Sequence, residues 1–156
     1  MFSVGTSLRM EIPIGRVWRL LVDIERYADW HPTLRFTDRP GDEERVNYIY
    51  SPRGTRGPEL AAEGRITGLD WLKSFSWQTG IPGILVIEES HRLEKLGQGV
   101  EVTHRLVCRG FFSWLGYPFL LRACRVFLTR SNNALEQHFR RSTVRSRYAR
   151  PSGRRA

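Results

Sequence analysis

Cysteine is scarce in this 156-residue chain: Cys108 and Cys124 are the only two, and they share no C-x-x-C spacing. That excludes a disulfide scaffold and a cysteine zinc site, and both read as small buried hydrophobes. Long apolar runs are missing as well, with nothing near the roughly 20 residues that a spanning helix needs. Met1-Phe2-Ser3-Val4 and the residues up to Pro13 lack a basic region followed by an apolar one, so no secretory signal is expected and the default expectation is cytoplasmic. No serine or cysteine sits in a nucleophile elbow, no phosphate-cradling glycine loop follows a strand, and no carboxylates pair at a productive spacing. Motif content therefore predicts neither a cofactor nor a metal.

What is present suits one folded domain. Hydrophobic residues make up 40% and charged residues 26%, and the length allows a real core. Acid is absent from the last stretch: residues 140–156 carry seven arginines, so only +2 of the formal net charge of +9 belongs to the rest. Residues 142–156, poor in apolar side chains, are expected to form a disordered basic tail after a domain of residues 1–141. Such a tail either keeps the chain soluble or makes weak contact with an anionic partner, RNA or a membrane surface. Its single tyrosine does not make an aromatic-interleaved nucleic-acid surface.

Periodicity orders the chain. Residues 3–12 alternate and predict a strand; Pro13 then starts a helix over 13–23, with Ile14, Val17, Trp18 and Leu21 at helical spacing and one further turn before Pro32. From Leu34 to Gly110, Gly and Pro punctuate strand-length runs of alternating parity, which predict an antiparallel meander. Its sharpest hairpin turns at Gly97-Gln98, which sets His91 opposite His104 and Leu93 opposite Val102; a longer turn through Gly99 would shift that register. From about Ser113 to Arg141 a long helix follows, with Ser131 and His138 inside its apolar stripe.

The run Ile12-Pro13-x-x-x-Val17-Trp18-x-x-Leu21-x-Asp23-x-x-x-Tyr27-x-x-Trp30-x-Pro32 resembles the opening motif of the START-like, Bet v 1-like superfamily, which includes polyketide cyclases, aromatases and lipid-transfer proteins. Ser90-His91, Gly97-x-Gly99-x-x-x-Thr103-His104, Gly110 and Asn133-Ala134-Leu135 resemble its second half, so the likeness spans residues 3–141. Ile12 and Glu136 depart from the family pattern of a small residue and a lysine. The resemblance implies an α+β helix-grip fold, a bent antiparallel sheet around a long C-terminal helix, with a cavity for a hydrophobic small molecule such as a lipid, quinone or polyketide-like aromatic.

The residues agree with a mostly apolar pocket carrying a few polar groups. Its expected lining is Trp71, Phe75, Trp77, His91, Val102, His104, Leu106, Leu120, Phe127, Ser131 and Ala134. His91 and His104, with Glu89 nearby, are either an internal hydrogen-bonded pair or ligand-orienting groups, and a metal site would want another convergent ligand. Two other classes of function stay open. A cyclase or dehydratase would use His104 or His138 as the acid–base group, with Arg130 polarising a carbonyl. An interaction protein would dock through the arginine tail.

Overall fold

The computed structural model describes residues 1–38, 44–53 and 57–148. Strand β1 (Phe2–Met10) leads through Pro13 into helix α1 (Ile14–Val22) and a 3₁₀ segment (Ile24–Asp29). Five consecutive antiparallel strands and a sixth that returns follow: β2 (Leu34–Asp38), β3 (Arg45–Tyr50), β4 (Leu60–Asp70), β5 (Ser74–Ile81), β6 (Leu85–Leu96) and β7 (Gly99–Arg109). The sheet order is β1-β7-β6-β5-β4-β3-β2, so every neighbour but one is a hairpin partner and only β1 with β7 joins the two ends of the meander. Helices α2 (Phe111–Leu115) and α3 (Tyr117–Tyr148) complete the α+β architecture.

The predicted hairpin has the expected register. His91 pairs with His104 and Leu93 with Val102 across a two-residue turn in which Gly97 holds φ at +57°, a conformation glycine adopts at no steric cost. Register shifts at Ile66/Gly68 in β4 and Phe36/Asp38 in β2 mark bulges, which increase local twist and let a seven-stranded sheet curl. Helix α3 packs most closely on β1 and β7 and stands off from β3 and β5, where Tyr50 meets Phe127.

Helix α3 outruns its expected end at Arg141 and continues to Tyr148, because 142–148 contain neither glycine nor proline. The rest of the expected basic tail, 149–156, lies outside the described residues. At the other end, Gly116 and Pro118 divide what reads as one helical stretch into α2 and α3. No helix among the described residues is long and apolar enough to cross a membrane.

The core has two apolar levels. Val17, Trp18, Leu21 and Tyr27 from the first helices meet Phe75, Leu93, Val102, Leu135 and Phe139. Leu106, Cys108, Cys124 and Leu128 form a second, smaller cluster with Phe2, Val4, Ile87 and Phe127 around it. Read along the elements, β6 passes from Ile87 through Glu89 and His91 to Leu93, β7 from Val102 through His104 to Leu106, and α3 from Leu128 through Ser131 to Leu135. A buried polar level thus runs between the two apolar ones.

Candidate functional site

The polar level is built on inward positions of β6 and β7, where alternation sends Glu89, His91, His104 and Leu106 to one face. All three polar side chains there are buried. Glu89 is bonded at both oxygens: Trp77 donates its Nε1–H to Oε2 at 3.1 Å, and His104 Nε2 lies 2.8 Å from Oε1. Burial would raise the Glu89 pKa, but the His104 hydrogen bond and the fields of His104, His91 and His31 outweigh it and hold the carboxyl at about 2. The carboxylate can therefore only accept, which places a His104 proton on Nε2. Asn132 Oδ1 on α3 lies 3.2 Å from His104 Nδ1 and links the sheet to the helix.

His91 stacks on His104 with ring centroids 4.1 Å apart, and its Nε2 is 3.7 Å from Glu89 Oε1. Burial and the neighbouring His104 push the His91 pKa down to about 3, so it is neutral near pH 7, and its Nδ1 has no hydrogen-bond partner among the described residues. The donor atoms of Glu89, His91 and His104 all come within 4.8 Å of one another. Glu89 thus converges with both histidines, and no further His, Cys, Asp or Glu joins the group among the described residues. In kind the set suits a zinc-type ion. Its hydrogen bonding, with both carboxylate oxygens accepting N–H donors, also satisfies it as a closed polar cluster.

A second chain of hydrogen bonds ties α3 to the first helices. His31 Nδ1 accepts the backbone N–H groups of Leu34 at 3.0 Å and Thr33 at 3.3 Å, so its proton sits on Nε2 and is donated to Ser131 Oγ at 2.8 Å. Ser131 in turn donates to Phe127 O at 2.9 Å. Burial lowers the His31 pKa to about 4, in keeping with a neutral ring. Ser131 therefore bonds back to its own helix, as mid-helix serines do, while anchoring a histidine from the other end of the domain.

Beside this polar level lies a cavity of about 290 Å³. Its walls are Leu34, Tyr48, Tyr50 and Trp77 from the sheet, with Leu120 and Phe127 from α3, and Glu89 reaches its surface. Leu60 and Ala123, both exposed, stand at its rim. Gly64 is the small residue that lets this wall form: a Cβ there would come within 3.0 Å of the Trp77 indole, which packs flat against the bare backbone. A shallower groove shares Tyr50, Ala123 and Phe127 with the cavity and continues outward past Arg53, Phe119, Arg122 and Arg130. Burial raises the Tyr50 pKa despite nearby Arg130, so the phenol facing both spaces is a neutral hydrogen-bonding group.

Of the residues expected to line a pocket, Trp77, Leu106, Leu120 and Phe127 do so. His91, His104 and Ser131 form the buried polar level, and Val102 and Phe75 belong to the apolar core below it. Ala134 is half-buried on α3, outside the cavity lining. Trp71 is 72% exposed, packs edge-on against Trp18 and, with Phe75, lines a separate groove between α1 and β4. The turn at Asp70–Lys73, closed by Lys73 N–H to Asp70 O and with Leu72 at φ +57°, breaks the parity that linked it to Phe75. His138 packs against Phe139, and its pKa is lowered by partial burial and Arg26, far along α3 from the cavity. Arg130 lies in the outer groove and donates to Pro52 O at 2.7 Å. Sequence reasoning missed His31, Asn132 and Thr79; Tyr48 and Tyr50 were visible only as same-parity strand residues.

No family model matches the chain, and neither does any curated protein. Solved structures do. A START superfamily protein from Mycobacterium smegmatis superposes with a TM-score of 0.68 at 13% identity, covering 87% of this chain and 95% of that one. The di-domain ARO/CYC BexL of the BE-7585A biosynthetic pathway gives 0.63 at 15% identity, over 87% of this chain and 47% of that one. Ara h 8.0201 gives 0.60 at 9% identity, over 87% and 98%. At these identities the likeness is one of fold.

Proposed function

We propose that this chain, which has the START-like helix-grip fold, binds a hydrophobic small molecule in the cavity between its sheet and α3. One observation carries the reading: an apolar cavity reaches Glu89, whose two oxygens are held by Trp77 and His104 in a buried polar cluster, the arrangement by which ligand sites combine burial with orientation. The volume lies at the lower end of the roughly 300–1,000 Å³ of ligand pockets. It favours a compact aromatic, polyketide-like or quinone ring, or part of a lipid chain, over a whole phospholipid. Tyr48, Tyr50 and Thr79 supply hydroxyls around an otherwise apolar wall.

Native mass spectrometry of the purified full-length protein, followed by solvent extraction of any adduct, tests the proposal. An adduct of defined mass is expected in the wild-type chain. It is expected to be lost in Ala123→Trp, which fills the rim from an exposed position and leaves the fold intact. An adduct retained by a folded Ala123→Trp would overturn the assignment to this cavity.

A catalytic reading has its own supporting observation: Glu89 reaches the cavity surface and is hydrogen-bonded to His104 buried behind it. In that reading the pair moves a proton to or from the bound molecule, as in a cyclase or dehydratase. His138, outside the cavity lining, is then not the acid–base group, and Arg130, in the outer groove, does not polarise the carbonyl. Turnover of an aromatic polyketide panel that disappears in His104→Gln, with adduct binding retained, separates catalysis from carriage.

A further inference from the structure

Residues 109–119 carry a feature that neither the core nor the cavity uses. Phe111, Phe112, Trp114, Leu115, Tyr117 and Phe119 are all exposed, Trp114 at 74% and Phe119 at 82%. The rings cluster, with Phe111 5.6 Å from Phe112 and 6.4 Å from Trp114. The β5–β6 hairpin extends this surface, because the N–H groups of Phe111 and Phe112 bond Gly83 O and Ile84 O, which brings Ile84 and Ile81, both exposed, beside the rings. A monomeric protein rarely leaves so many large apolar side chains together in water.

The charge around the patch has one sign. No acid occurs from Gly110 to Leu135, whereas Arg122, Arg125 and Arg130 all lie there. Arg122 and Arg125 make no ion pair among the described residues. Packing this face on a second copy of itself would bring like-charged arginines together at an isologous interface. Aromatic rings mixed with tryptophan and tyrosine, rimmed by arginine, are instead the composition that settles at the boundary of an anionic bilayer.

We infer that α2 and the start of α3 form a docking surface for an anionic phospholipid membrane, with Phe111, Trp114 and Phe119 entering the headgroup–acyl boundary and Arg122 and Arg125 contacting lipid phosphates. This surface is separate from the arginine tail and does not depend on the cavity being occupied. Phe119 and Arg122 also line the groove that adjoins the cavity, so docking brings the rim toward the lipid.

The test mixes full-length protein with vesicles of phosphatidylcholine and of phosphatidylcholine with phosphatidylglycerol, the acyl chains brominated for fluorescence quenching. Co-sedimentation with the anionic vesicles and quenching of tryptophan emission are expected. The Trp114→Phe variant keeps binding and loses most of the quenching, which separates ring insertion from adsorption of the basic tail. Trp114→Ser combined with Phe119→Ser, both at exposed positions, lowers vesicle affinity about tenfold or more while circular dichroism stays unchanged. Unquenched binding, equal binding by the double variant, or self-association through the patch in place of vesicle binding would each overturn the inference. Loss of the cavity adduct in Ala123→Trp leaves vesicle binding as it was, so the two readings fail separately.

Discussion

Glu89 is the residue on which the interior depends most. Its two oxygens accept N–H groups from Trp77 and His104 in the buried interior. An amide at this position offers one acceptor in place of two and turns an NH₂ toward a donor. Glu89→Gln is therefore expected to cost about 3–5 kcal/mol, the range for breaking a buried ionic pair from one side. Urea unfolding at neutral pH measures it, and a loss below 1 kcal/mol would show the carboxylate to be dispensable to the fold. The His91–His104 facing was legible in sequence because it needs only strand alternation and a two-residue turn. The His31–Ser131 bond was not, because its partners lie 100 residues apart and only the packing of α3 on the first helices brings them together. Trp71 stands in the turn between β4 and β5, so strand alternation does not decide which space it faces.

Between elements, the decisive junction is Gly110, which joins β7 to α2 with φ at +100°. A Cβ there would lie 2.6 Å from Ile84 O, the carbonyl in the β5–β6 turn that accepts the Phe112 N–H. Gly110→Ala is expected to cost about 1–3 kcal/mol in backbone strain, together with displacement of α2 from the β5–β6 hairpin. A lowered Tm checks the first effect, and weaker vesicle quenching by Trp114 checks the second. Element types were readable because strands and helices here keep their own periods over long runs. The aromatic patch was hidden by that same logic: Phe111, Trp114 and Leu115 have helical spacing and so look like core, and only the break at Gly116 leaves them without a sheet to cover.

At the scale of the whole molecule, the buried polar level makes stability depend on pH with one sign. Above pH 6.5, His31 and His91 are neutral in the folded and the unfolded chain alike, and their contribution is fully present. As the pH falls, the unfolded chain binds protons that the fold refuses, down to about 4 for His31 and about 3 for His91; Glu89 acts in the same direction between 4.5 and about 2. The unfolding free energy measured in urea is expected to fall steadily from pH 6.5 to 3, by several kcal/mol in all at about 1.4 kcal/mol per shifted unit. His31→Asn is expected to flatten the part of that slope above pH 4, and a profile unchanged by the substitution would remove His31 from the cause. The sheet order, finally, has a consequence in time. Residues 2–10 leave the ribosome ahead of the rest of the sheet, yet their hydrogen-bonding partner is 99–109. At about 5–20 residues per second, the opening strand waits on the order of 5–20 seconds with a bare edge. The nascent chain must be kept from pairing with its neighbours for that interval, and the sheet closes only once its last strand has been made.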